Sequence, residues 1–121
     1  MPDRRDTLGS YIRRTRSARQ VTLRKLAAAV GVTPSYLSDI ENDRRVPSEE
    51  VLERIARELD LDLDELMALR GKLDDATEEY LKRSPAAVRL FRRIAQQELN
   101  EAQLAELERQ AANLGRRKKE R

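Results

Sequence analysis

Apolar residues recur along the chain at helical spacing and almost nowhere at the two-residue spacing of a strand. Leu8, Tyr11, Ile12 and Thr15 stand at i, i+3, i+4 and i+7, which predicts an amphipathic helix over about 7–19. Thr22 is placed to cap a second helix whose stripe is Leu23, Leu26, Ala27 and Val30. Gly31 stands where a left-handed C-terminal cap is wanted. Thr33-Pro34 reads as an N-cap followed by proline at the first helical position, where the missing N–H has no intrahelical partner to lose. This predicts a third helix over about 34–41. The tight connection, with Val32, Leu37 and Ile40 placed to pack the third helix on the second, is a helix-turn-helix by spacing.

Ser48 then caps a fourth helix, with Glu49 and Glu50 in its first turn and Val51, Leu52, Ile55, Ala56 and Leu59 facing inward. Asp62 caps a fifth, with Leu63, Leu66 and Met67 as its apolar side, and Gly71 ends it. Five short helices would close one core. Residues 72–83 are polar and mixed in charge, a linker or a loosely held short helix. Ser84-Pro85 repeats the cap-and-proline signal ahead of Ala87, Val88, Phe91, Ile94 and Ala95, predicting a helix to about 99. Asn100 and Gln103 form a capping-box pattern before a last helix striped by Leu104, Leu107, Ala111 and Leu114, which is expected to stop at Gly115. Residues 116–121 carry no apolar side chain to bury and are expected to be a disordered basic tail. The organisation expected is therefore a domain over 1–71, a connection over 72–83, a helical hairpin over 84–115 and the tail.

Composition narrows the chemistry. The 121 residues hold no cysteine and no histidine, which removes disulfides, thiolate metal sites, thiol or imidazole nucleophiles and a base titrating near neutrality. Carboxylates are abundant, but none lies in a context implying a paired acid and base, so no enzyme, metal or cofactor is expected. No apolar run approaches the roughly 20 residues of a membrane span. The charged start of the chain has no signal-like apolar stretch behind it, so a cytoplasmic location is expected. The net charge of +3 is unevenly spread. Residues 1–47 hold ten basic against five acidic side chains, 48–81 four against twelve, and 82–121 eleven against five. Basic ends suit a polyanionic partner, although charge alone also describes a solvated surface.

The run Leu26-Ala27, Gly31-Val32-Thr33 and Ser35 to Asn42, followed by Arg45 and Pro47, resembles the phage repressor and Cro-like (xenobiotic-response-element) family of helix-turn-helix regulators, over about residues 8–70. The resemblance implies an all-α, five-helix, lambda-repressor-like DNA-binding domain whose third helix enters the major groove. Carried over position by position, it places Thr33, Pro34, Ser35, Ser38 and Asp39 toward base edges and Tyr36 beside the sugar-phosphate backbone. Ser35 and Ser38 can donate or accept. Asp39 either accepts from a cytosine amino group or only repels wrong sequences. Glu41 matches a family position paired with a basic residue of the first helix, here Arg16; the alternative is two separate surface charges. Phosphate contacts are expected from Arg19, Arg24, Lys25, Asn42, Arg44 and Arg45, each of which is otherwise solvated surface. One departure is Leu23, where the family often has a glutamine that bonds a phosphate.

Family members usually reach specific affinity as dimers on two half-sites, so the partner implied is double-stranded DNA, an operator in the form of an inverted repeat. Val88, Phe91, Ile94, Leu99, Leu104, Leu107 and Leu114 are the expected dimerisation residues, completing a four-helix bundle with a second copy. Alternatively these helices fold back on the DNA-binding core. The basic tail either reaches neighbouring phosphates or only adds solubility. The function implied is transcriptional regulation by a homodimeric repressor. The alternatives are an antitoxin or protease-controlled repressor whose C-terminal helices bind a regulatory protein partner, and a protein–protein adaptor that never meets DNA.

Overall fold

The computed structural model describes residues 1–119; Glu120 and Arg121, the end of the expected tail, lie outside the described residues. It is all-helical, with α1 Leu8–Ala18, α2 Leu23–Val30, α3 Pro34–Glu41, α4 Glu49–Leu59, α5 Leu63–Arg70, α6 Asp75–Arg83, α7 Pro85–Gln97 and α8 Glu101–Lys119, and no strand among the described residues. The chain divides into two compact units, Met1–Asp74 and Asp75–Arg121.

In the first unit the local signals operate as their chemistry requires. The side chains of Thr7, Thr22, Thr33 and Ser48 each accept a hydrogen bond from the backbone N–H three residues on, and Asp62 from that of Asp64. Each satisfies one of the N–H groups that a helix start leaves without a partner. Gly31 and Gly71 close α2 and α5 at φ +83° and +73°, a backbone region costly for a side chain with a Cβ. Leu8, Tyr11, Ile12, Leu26, Ala27, Val30, Leu37, Ile40, Leu52, Ile55, Ala56, Leu59 and Leu66 then form one buried core, with Leu23, Val32, Val51, Leu63 and Met67 packed partly against it. Thr15, the polar member of the first stripe, is only half-buried.

α1 packs on α3 and on α5, α2 on α3 and α4, and α4 on α5, so every helix of the unit borders the same core. The Tyr11 hydroxyl donates to Glu65 Oε2 at 3.3 Å, joining α1 to α5. Burial and that carboxylate raise the phenol above its ordinary pKa.

In the second unit α6 packs against α7, so the stretch read as a linker or loose helix is a helix with a packing partner. α7 is capped by Ser84 and ends at Gln97, two residues earlier than expected, because Glu98 takes a left-handed conformation. Leu99 therefore lies in the connection. Asn100 and Gln103 make the reciprocal capping bonds, each backbone N–H donating to the other's side-chain oxygen at 3.0 and 2.9 Å. α8 does not stop at Gly115. It runs through Arg116–Lys119, correcting the expected disordered tail as far as Lys119. A glycine inside a helix costs only about 1 kcal/mol relative to alanine. Four cationic side chains in the last turn oppose the negative end of the helix dipole. No residue of α6, α7 or α8 is buried.

Candidate nucleic-acid interface

The helix-turn-helix is built from α2, Gly31-Val32-Thr33 and α3. As the chain leaves α2, the Gly31 and Val32 N–H groups both donate to Ala27 O, at 2.9 and 3.0 Å, and three residues later α3 has begun. Leu37 and Ile40 bury the inner face of α3 completely. At 100° per residue this turns Pro34, Ser35, Ser38 and Asp39 outward. Thr33, Pro34 and Ser35 are exposed, Tyr36, Ser38 and Asp39 half-buried. The outer face of α3 is thus polar at its centre and lined by Pro34 at its start.

What locks α3 to α1 is electrostatic at one end and steric at the other. Glu41, almost fully buried, accepts from Arg16 Nε at 2.7 Å and Arg16 Nη2 at 3.0 Å, while Arg16 Nη1 donates to Val21 O at 2.9 Å. This forked geometry fixes both side chains. The bonds that Arg16 donates to Glu41 raise the Arg16 pKa above its ordinary value, against the opposing effect of burial. At the other end Asp43, in a left-handed conformation at φ +58°, accepts from Gly9 N at 3.0 Å and Thr7 Oγ1 at 2.6 Å, capping α1 from a distant part of the chain. At Gly9 the backbone of α1 runs close against the end of α3. A Cβ there would lie 2.4 Å from Ile40 O and 2.6 Å from Glu41 O.

The predicted site residues fall into three groups. Arg16 and Glu41 form the expected pair. Tyr36 and Arg45 meet, with the guanidinium 5.0 Å from the ring centroid, a cation–π contact that holds the arginine over the aromatic face. Arg19, Arg24, Lys25 and Arg44 are exposed and make no salt bridge or side-chain hydrogen bond among the described residues. Other arginines of the unit are committed internally: Arg14 to Asp6, Arg54 to Glu50 and Val30 O, and Arg70 to Pro47 O and Lys72 O.

Asn42 was expected at a phosphate. In the free chain its side chain is shared between helices, accepting from Arg13 Nη2 at 2.5 Å and donating to Ser38 O at 2.9 Å and Ser38 Oγ at 3.4 Å. Leu23 packs partly against the core and offers nothing to a phosphate.

Within the first unit three residues escaped the sequence reading. Arg13 stands three before Arg16 and so shares its helix face, a spacing that points it at the end of α3. Gly9, a poor helix former inside the first stripe, is a signal of close approach. Asp43 had no local signal, since its partners are 34 and 36 positions away.

Of the expected dimerisation residues, Val88, Phe91 and Leu114 are exposed, Phe91 to 53% and Leu114 to 62%, while Ile94, Leu99, Leu104 and Leu107 are half-buried. Leu90, not singled out from the sequence, is exposed to 55% beside them. Among the described residues no helix is long and apolar enough to cross a membrane, and no group of carboxylates could hold a metal ion.

A family model described as a helix-turn-helix domain matches residues 7–69, just over half of the chain. The chain is 42% identical over 59 residues to the ImmF control region 10 kDa protein of Bacillus phage phi105, covering 49% of this chain and 66% of that one. It is 32% identical over 74 residues to the immunity repressor protein of the same phage, covering 61% of this chain and 51% of that one. It is also 32% identical over 82 residues to the transcriptional regulator ClgR of Mycobacterium tuberculosis, covering 68% of this chain and 73% of that one. The chain thus spans between about half and two thirds of the length of the phage relatives. These matches bear out the resemblance carried by residues 26–47, and the chain belongs to the helix-turn-helix family of transcriptional regulators.

Proposed function

We propose that this protein is a sequence-specific, double-stranded-DNA-binding transcriptional repressor that acts in the cytoplasm as a homodimer, occupies an inverted-repeat operator and catalyses no reaction. The observation that carries this reading is the outer face of α3. It is a docked helix with a polar outer face, Thr33 to Asp39, in a unit whose exposed Arg19, Arg24, Lys25 and Arg44 make no salt bridge or side-chain hydrogen bond among the described residues. A major groove about 12 Å wide admits such a helix. Ser35, Ser38 and Asp39 then face base edges, with Thr33 and Pro34 supplying apolar contact at the entry. Arg24, Lys25, Arg44 and Arg45 neutralise phosphates on either side, joined by Arg19, and Tyr36 keeps the Arg45 guanidinium stacked in place. Such contacts fix register and orientation, while the base-edge contacts carry sequence preference.

The distribution of acids supports the same face. The first turns of α2 and α3 contain no acidic residue, whereas α4 begins with Glu49 and Glu50 and α5 has Asp64 and Glu65. An uncompensated positive helix end suits a phosphate. Glu49, Glu50, Asp64 and Glu65 thus stand on helices other than α2 and α3, and Asp39 is the one acid that α3 carries on its outer face.

Homodimerisation is assigned to the second unit, whose Val88, Leu90, Phe91 and Leu114 leave apolar surface uncovered in a single chain. Two recognition helices about one DNA turn, roughly 34 Å, apart would read an inverted repeat. The immunity repressor among the relatives supports repression as the mode of action. The test is selection from a random duplex library at near-physiological salt. An inverted repeat among the retained sequences is the expected outcome, and retention without sequence enrichment would overturn the proposed specificity.

A further inference from the structure

We propose that Arg13 and Asn42 act as positioning residues that fix the Ser38 hydroxyl as a hydrogen-bond donor toward DNA, and so select against cytosine at the base Ser38 faces. The proposal rests on the placement of α3 in the major groove.

The argument follows a chain of donors. An arginine guanidinium can only donate, so the Asn42 atom 2.5 Å from Arg13 Nη2 is the amide oxygen, and the amide cannot turn over while that bond exists. The Asn42 NH2 group is thereby aimed back along α3, donating to Ser38 O at 2.9 Å and to Ser38 Oγ at 3.4 Å. An oxygen that accepts from an NH2 directs its own proton elsewhere. The Ser38 hydroxyl makes no bond to the preceding turn of the helix and is half-exposed on the outer face of α3, so its proton is directed outward.

A hydroxyl alone is undecided, because it can donate or accept. Here the Asn42 NH2 takes up one of its two lone pairs, and α1, which holds that amide through Arg13, thereby biases the outward side toward the proton. The outward donor suits purine N7, guanine O6 or thymine O4, whereas the cytosine edge presents only an amino donor.

The pair is unlike a generic surface contact. Arg13 also stands 3.5 Å from Glu41, whose two oxygens already receive Arg16, so the Arg13 guanidinium is held between Glu41 and Asn42.

The test is library selection with the full chain and three variants. Ser38→Ala identifies the operator column that Ser38 reads, by flattening it. Asn42→Asp replaces the amide with a carboxylate that accepts from both Arg13 and the Ser38 hydroxyl, leaving Ser38 Oγ to DNA as an acceptor. The ratio of guanine plus thymine to cytosine in that column should then fall by about tenfold, the scale of one base-edge contact. Arg13→Met frees the amide to turn and should bring the ratio toward unity.

Thermal midpoints establish that each variant is folded, and should Asn42→Asp not fold, Arg13→Met carries the test. The readout is the ratio within one column, which a change in general affinity leaves untouched. An unchanged ratio in a folded Asn42→Asp, or failing that in Arg13→Met, overturns the proposal. A wild-type selection that enriches a motif in which Ser38→Ala flattens no column overturns instead the groove placement on which it rests.

Discussion

Replacing Gly9 by alanine tests whether the α1–α3 contact is as close as the structure has it. The added Cβ would stand 2.4 Å from Ile40 O and 2.6 Å from Glu41 O, 1.0 and 0.8 Å inside the 3.4 Å at which ordinary contact begins, and 2.8 Å from Asp43 Oδ1. Two of these neighbours are backbone carbonyls at the end of α3, so relief requires helices to separate. Overpacking a well-filled site costs about 1–3 kcal/mol, and immovable neighbours put this case at the upper end. Alanine returns about 1 kcal/mol through its better helix propensity. The net expectation is a loss of about 2 kcal/mol, which for a domain of this size lowers the melting midpoint by roughly 8–16 °C.

The control is Gly115→Ala in α8, where a Cβ would meet nothing within 4 Å. There the same substitution should raise helix content with no fall in the midpoint. Circular dichroism melts of both full-length variants decide the matter. A Gly9→Ala midpoint equal to or above the parent's would refute the close approach.

Glu41→Ala strands the Arg16 guanidinium, whose side chain is only 16% exposed, and should cost about 3 kcal/mol in a denaturant melt. A loss below about 1 kcal/mol would mean that the pair contributes no more than surface charges do. Ser35→Ala and Asp39→Ala should alter which duplexes are retained from a random library. Arg45→Ala should instead weaken all of them alike and reduce the salt dependence of binding. If every one of these variants matched the parent in affinity and preference, the assignment of α3 to the groove would be wrong. Removal of residues 84–121 should leave a folded monomer that binds its operator far more weakly. A dimer surviving in sedimentation would move the interface into the first unit.

The boundaries of the first five helices were legible because each is set within three or four residues. A Thr, Ser or Asp side chain bonds a backbone N–H just ahead of it, Pro34 fits the first helical position, and Gly31 and Gly71 permit a left-handed turn. The inward faces followed from the 3.6-residue period, which is why Leu37 and Ile40 could be assigned to the core and Ser35 and Ser38 to the outside. The Arg16–Glu41 pair was reached through the family resemblance, since no local rule links positions 25 apart.

Where competing local terms were nearly balanced, the sequence misled or left the matter open. Gly115 looked like a helix end, but its small propensity cost was outweighed by the favourable placement of Arg116–Lys119. Residues 75–83 could be a linker or a helix until packing against α7 decided it. The contacts that hold α3 at its angle were beyond sequence reasoning altogether. Gly9 is small because another helix's carbonyls pass beside it, Asp43 caps a helix more than 30 positions away, and Asn42 bridges two helices because Arg13 arrives from α1. Short-range hydrogen bonding and periodicity thus determined which helices form and which faces they bury. Only the tertiary structure decided how closely α1 and α3 approach and which polar groups are already spoken for, because both depend on atoms that the chain brings together from distant positions.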